Sequence, residues 1–293
     1  MRQWEYRRAA SLDEAAELLG DGKRARPMSG GTDLLTQLDR GINVPDVVVD
    51  LRPLNLGGIE HGAHGTRIGA LTSVADVARD EGLAGRYAAL HTAASAVASP
   101  QLREMGTVGG NLCQQPRCWF FRHPDLTCWL GGGDTCYAQE GDHRKHGLEP
   151  GDCISVAPSD LGAALLALDA AVETNRRAAF PLELLYARPT PERRTTVLLE
   201  PGEVLTAVVL PGPPDASAYA RAGERAAWSF ALAGVAAARR GDDLRLAAIG
   251  VANIPRILDP ADPLDGLPGL PMTGWKRRLL ANLADEALAQ VRS

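Results

Sequence analysis

Thr107-Val108-Gly109-Gly110-Asn111-Leu112 is followed at once by a stretch that holds every cysteine of the chain: Cys113, Cys118, Cys128, Cys136 and Cys153. Adjacent glycines let backbone N–H groups approach a phosphate closely, and thiolates hold iron-sulfur clusters or zinc. Few proteins outside redox chemistry need both within about fifty residues. The adjacency therefore points to electron transfer, although neither feature decides the matter alone.

Outward from that stretch, short strands and helices alternate. Residues 11–20 read as a helix capped by Ser11, and Asp46-Val47-Val48-Val49-Asp50-Leu51 reads as a buried strand, because β-branched residues run unbroken between charged ends. Between them Pro27-Met28-Ser29-Gly30-Gly31-Thr32-Asp33-Leu34 is a turn opening a helix, with Thr32 or Asp33 as cap. Arg67 to Ala70 reads as a strand and Ser73 to Ala78 as a capped helix. Ala88–Ala98 is a small-residue helix, and Gln101–Leu112 is expected to be a glycine-bearing loop. From Gln114 to Asp152 no apolar period survives, and a loop that long needs a function or a bound group to order it.

Regular structure resumes with a helix over Leu161–Leu168, capped by Ser159 or Asp160, a strand at Ala171–Thr174 and a strand at Val204–Leu210. Pro211-Gly212-Pro213-Pro214 marks a domain boundary. Beyond it come an extended segment, an apolar helix over Phe230–Ala238, a strand at Leu244–Ile249, a proline-rich stretch at 255–271 and a final helix over Gly274–Val291.

Composition narrows the classes. A chain of 293 residues, 45% hydrophobic, is long enough for two or three units, each with its own core. A net charge of −5 with dispersed arginines offers no basic block for nucleic acid or an anionic membrane. No stretch approaches the roughly 18–20 apolar residues of a membrane span, and Met1-Arg2-Gln3-Trp4-Glu5-Tyr6-Arg7-Arg8 leads into an amphipathic helix instead of a signal-type apolar core. The expectation is a cytoplasmic protein whose odd number of cysteines, all local, are reduced thiols and not a disulfide framework.

Each motif has an ordinary reading beside the functional one. Gly30-Gly31-Thr32-Asp33 can bind phosphate through exposed amides or be a plain tight turn, and no G-x-G-x-x-G follows a strand; a second glycine loop at 107–111 raises the case for one dinucleotide held by both. Cys118, Cys128, Cys136 and Cys153 are spaced C-x9-C-x7-C-x16-C, looser than zinc knuckles. They are free thiols or metal ligands, with a 4Fe-4S cluster favoured over zinc if a redox cofactor lies nearby. Cys113 reads as a spare apolar thiol. Trp119, Phe120 and Phe121 shield such a site, and His123, His143 and His146 read as packing groups. Arg221 and Arg225 can stabilise a reduced flavin by charge or be a solvated basic pair.

The ordered set of short motifs is more specific than any member. Ser29-Gly30-Gly31-Thr32-Asp33-Leu34, Ile68-Gly69-Ala70, Ser99-Pro100-Gln101-Leu102-Arg103, Thr107 to Leu112, Pro158-Ser159-Asp160-Leu161, Pro201-Gly202-Glu203 and Phe230-Ala231-Leu232 resemble, in order, the FAD-binding medium subunit of molybdenum hydroxylases, the xanthine dehydrogenase and CO dehydrogenase group. Arg117-Cys118-Trp119-Phe120-Phe121-Arg122 and the cysteines after it resemble the branch with an additional 4Fe-4S cluster, as in aldehyde oxidoreductases and 4-hydroxybenzoyl-CoA reductase.

The resemblance implies an α+β fold: a vanillyl-alcohol-oxidase-type FAD-binding domain in two subdomains over 1–212, with an iron-sulfur insertion at about 114–155, then a small, shortened α+β C-terminal domain over 217–293. It implies that Met28, Ser29, Gly30, Gly31, Thr32, Asp33, Leu34, Ser99, Thr107, Gly109, Gly110 and Asn111 bind FAD, the two loops taking the pyrophosphate. Asp160 would bind ribityl or ribose hydroxyls, and Leu205 and Arg221 would lie near the isoalloxazine. Cys118, Cys128, Cys136 and Cys153 would hold the cluster. Arg221 stands where the family has lysine in a Tyr-x-Lys pattern. The implied partners are a molybdopterin-containing large subunit, a 2Fe-2S small subunit and a small-molecule electron acceptor. Two rival readings are a stand-alone flavoprotein of specialised metabolism acting directly on a small molecule, possible in a non-redox role, and a zinc-ordered binding module without flavin.

Overall fold

The computed structural model describes residues 4–20, 24–225 and 227–292; Met1, Arg2 and Gln3 of the N-terminal reading lie outside them. The first layer is a parallel sheet of β1 (Glu5–Arg8), β2 (Ala25–Met28) and β3 (Val47–Asp50) in the order β1-β3-β2. Val47, Val48 and Val49 are all buried, as the central strand of a sheet covered on both faces requires. Helices α1 (Leu12–Gly20) and α2 (Leu34–Asp39) follow β1 and β2. α1 starts at a capping box: the Glu14 amide donates to Ser11 Oγ (3.1 Å) and the Ala10 amide to the Glu14 carboxylate (2.7 Å).

The second layer is an antiparallel sheet in the order β4 (Ile59–Gly62), β5 (Gly65–Gly69), β8 (Leu205–Pro211), β6 (Ala171–Thr174) and β7 (Phe180–Pro181). Packed with it are α3 (Val74–Arg79), α4 (Glu81–Arg86), α5 (Ala88–Ala96) and α9 (Asp160–Ala167). Ser73 caps α3 and Ser159 caps α9, whose eight residues are all buried. The expected loop at 101–112 is instead two short helices, α6 (Pro100–Met105) and α7 (Val108–Leu112). Each has its own start signal: Ser99 caps α6 with Pro100 in the first turn, and Thr107 Oγ1 accepts from the Gly110 amide in α7. The cysteine stretch has only a single 3-10 turn at Trp129–Gly131 and α8 (Tyr137–Glu140).

The third layer is an antiparallel sheet, β12-β11-β10-β9, made from β9 (Ala216–Gly223), β10 (Ala231–Arg240), β11 (Asp243–Ile249) and β12 (Arg256–Leu258). The helix expected over Phe230–Ala238 is strand β10, paired with β9 on one side and β11 on the other. Its alanines and valine read as a helix because no alternation shows. None shows because both faces are buried: Ala233, Val235 and Ala237 pack toward α10 (Gly274–Arg292), while Ala236 and Ala238 join the core around α9.

Candidate functional site

The three layers meet around a cavity of about 810 Å³, within the range of small-molecule and cofactor sites. Met28, Ser29, Gly30, Gly31, Thr32, Asp33 and Leu34 line it from the β2–α2 turn, Thr107, Gly109, Gly110 and Asn111 from α7, Asp160 from the start of α9, and Leu205 from β8. Ser99 and Arg221 do not line it. Ser99 is occupied in capping α6 (Leu102 amide to Oγ, 3.3 Å). Arg221 stands behind the wall, where its Nε donates to Asp160 Oδ1 (2.8 Å).

Two contacts bring the glycine loops together. Ser29 Oγ and Thr107 Oγ1 share a hydrogen bond of 2.9 Å, and a Cβ on Gly110 would lie 2.9 Å from that Ser29 oxygen. A Cβ on Gly30 would lie 1.6 Å from the Met105 carbonyl oxygen, so only glycine lets this loop pack on the end of α6. Gly31 makes the turn at φ +73°. Among the described residues, the amides of Gly30, Gly31, Thr32 and Asp33 have no protein acceptor. Such a row of unpaired donors against a cavity suits an anionic group.

Asp33 has a different job from the one its sequence position suggests. It occupies the N-cap position of α2 without a side-chain capping bond. Its carboxylate instead clamps the cysteine loop: it accepts from the Gln115 amide (2.9 Å) and pairs with Arg117 (2.9 Å) and Arg122 (2.8 Å). Arg26 also lies near this carboxylate, and burial lowers the pKa of its guanidinium. Arg26 and Arg117 both line the cavity, and Arg117 Nε is buried without a partner. Three guanidiniums around one carboxylate leave the wall beside the unpaired amides cationic. Sequence reading missed Arg26; its place directly before the Pro27–Leu34 turn was the available signal.

Across the cavity, Asp160 Oδ1 accepts from Tyr219 Oη (2.7 Å) as well as from Arg221. Tyr219 reaches it over Gly234, where a Cβ would lie 2.2 Å from the hydroxyl. The stretch that follows β9 roofs the cavity. Glu224 pairs with Lys145 (2.5 Å), the Trp228 amide donates to the Ala98 carbonyl (3.2 Å), and Arg117 lies 4.3 Å over the Phe230 ring.

Cys118, Cys128, Cys136 and Cys153 gather in one apolar pocket with Phe121, Trp129 and Leu130. Burial raises the Cys118 thiol to about 11 and raises Cys128. Cys136 is lowered to about 6 by the hydrogen bond from Cys153, which is itself raised by the same contact. Cys113 is apart from this group, in the main core, and burial raises it to about 12. Among the described residues no three ligating side chains converge on a point that one ion could occupy.

The pocket and the cavity meet at Cys118, which belongs to both, and Trp119 and His146 line the cavity beside it. His146 Nε2 lies 3.2 Å from Cys118 Sγ, its ring stands edge-on to Trp119 at 5.1 Å, and its Nδ1 is buried without a partner. Burial lowers its pKa to about 4. Lys276 of α10 is fully buried and donates to the carbonyls of Lys145 (2.9 Å), His146 (2.8 Å) and Gly250 (2.8 Å). Sequence reading treated His146 as packing and passed over Lys276; a lysine amid the apolar positions of the last helix was the signal.

A cavity of this size between two glycine loops and a third, β-sheet layer suits an anionic cofactor. Residues 2–213 match the family described as FAD binding domain in molybdopterin dehydrogenase, and the chain belongs to that family. It is 36% identical over 274 residues to the aldehyde oxidoreductase FAD-binding subunit PaoB of Escherichia coli, covering 89% of this chain and 86% of that one. It is 28% identical over 260 residues to the carbon monoxide dehydrogenase medium chain of Afipia carboxidovorans (86% and 74% covered). The fold matches a chain of reconstituted CO dehydrogenase from Oligotropha carboxidovorans with a TM-score of 0.72 at 21% identity, over 99% of this chain and 98% of that one. Among the described residues no helix is long and apolar enough to cross a membrane.

Proposed function

We infer that this chain is the FAD- and iron-sulfur-containing electron-transfer subunit of a molybdenum hydroxylase-type oxidoreductase. The observation that carries the reading is the meeting point at Cys118: one of the four clustered cysteines also lines the cavity between the glycine loops, with Trp119 and His146 beside it. FAD supplies the redox chemistry when bound, and the protein's part is to place it and set its potential. The amides of 30–33, with Arg26 and Arg117, would take the pyrophosphate; Asp160, aligned by Tyr219 and Arg221, would accept from a sugar-chain hydroxyl; Leu205 would back the ring system. Cys118, Cys128, Cys136 and Cys153 would hold a 4Fe-4S cluster, the finer branch that the stretch at 114–155 suggests.

In this reading residues 1–212 form the flavin-binding part and 217–293 a shortened C-terminal domain. Electrons leave a substrate at a molybdopterin-containing large subunit, pass a 2Fe-2S small subunit and depart from here to a small-molecule acceptor. Five free cysteines favour work in a reducing compartment, the cytoplasm. The test is the visible spectrum of the chain produced alone under anaerobic conditions, with flavin, iron and sulfide analysis. Flavin with about four irons is expected. Flavin without iron would remove the cluster and leave the cysteines as structural thiols; absence of flavin would overturn the reading altogether.

A further inference from the structure

The Cys118–His146 pair carries a second assignment, which rests on the cluster reading above. A neutral imidazole has one N–H. If the proton sat on Nδ1, a buried donor would have no acceptor, because Nδ1 has no partner, and the Nε2 lone pair would face sulfur at 3.2 Å. With the proton on Nε2 the ring donates to Cys118 Sγ and leaves only a lone pair unpaired. The ring cannot easily turn away from this arrangement. Trp119 stands edge-on to it, and the His146 carbonyl is fixed by Lys276 Nζ at 2.8 Å. Lys276 belongs to α10, so the last helix of the chain sets the position of a group that faces the thiol pocket in its middle.

We propose that His146 is a positioning residue whose Nε2–H hydrogen bond to Cys118 Sγ sets the reduction potential of the iron-sulfur centre held by the four cysteines. A hydrogen bond to a ligating sulfur stabilises the more negative, reduced state and so raises the potential. A bond to a charged acceptor contributes enough to change the ratio of reduced to oxidised centre about tenfold at a fixed potential, which for a one-electron couple is about 59 mV. Cys118 is also the cysteine whose wall faces the cavity, so the bond acts on the side of the centre nearest the flavin site.

The test is a redox titration, read by electron paramagnetic resonance, of the anaerobically reconstituted full chain and of its His146→Phe and His146→Gln variants, with iron measured on each. Full iron in all three, a lower potential in His146→Phe and a value near the starting one in His146→Gln are expected, because the glutamine amide can still donate. Unchanged potential in His146→Phe at full iron overturns the proposal and leaves the cluster reading standing. No iron in the unsubstituted chain overturns both. Should His146→Phe fail to hold iron, the unsubstituted chain labelled with 15N-histidine decides: a histidine nitrogen coupled to the reduced centre in pulsed resonance supports the bond, and its absence overturns it.

Discussion

Asp33 shows how one carboxylate can join two sites. Its side chain is 18% exposed, with Arg117 and Arg122 at 25% and 11%, so the pairs are mostly shielded from water. Removing the charge leaves neighbouring guanidiniums facing each other with nothing between, and Asp33→Asn is expected to cost about 2–4 kcal/mol. The loss falls on the cysteine loop, so limited proteolysis should cut faster within 114–152, as fragment sequencing would show; an unchanged cleavage pattern would mean the clamp holds nothing. Asp50 is the comparable residue of the first layer. It is fully buried, and hydrogen bonds from Arg52 and Tyr6 outweigh the desolvation to hold its carboxyl at about 2. The folded pKa lies below the unfolded value of about 3.9, so the stabilisation is complete above that value and lost as pH falls through about 2. With screening around half-exposed Arg52, Asp50→Asn should cost about 1–2 kcal/mol at pH 7, and urea melts should show the gap closing between about pH 4 and pH 2.

At the scale of elements, Lys276 is a strap from α10 to two other segments. Its burial lowers the ammonium to about 7, while three carbonyls at 2.8–2.9 Å oppose that shift, because a neutral amine offers only two N–H donors. Lys276→Met removes a buried charge but leaves three carbonyls unpaired, and an equilibrium melt should show a loss of about 2–4 kcal/mol. The elements themselves were unevenly legible. Caps announced α1, α3 and α9, because Ser11, Ser73 and Ser159 satisfy helix amides from side chains next to them in sequence. The three valines of β3 announced a strand by β-branching. β10 hid, since alanine between two buried faces carries no period, and only its neighbours in space make it a strand. The second short helix, α7, hid behind Gly109 and Gly110. The glycine loops of the site were readable because they are local; the roles of Tyr219 and Lys276 were not, because each acts on a partner far away in the sequence.

The whole molecule supplies the cavity from all three layers, so ligand and fold are coupled. FAD that binds only the folded chain stabilises it by mass action, about 2.7 kcal/mol at a hundredfold excess over its dissociation constant. Because β10 joins the main core on one face and the α10 core on the other, the rise should appear in one cooperative calorimetric transition. Two transitions, with flavin moving just one, would show that the third layer unfolds by itself. The roof over the cavity has a further consequence, in time instead of space. Its residues Glu224, Arg225, Trp228, Ser229 and Phe230 leave the ribosome after both glycine loops and all five cysteines have emerged. A nascent chain can therefore form the floor of the cavity with its thiols still open to solvent before any roof exists, and the compartment closes only once the stretch after β9 has emerged.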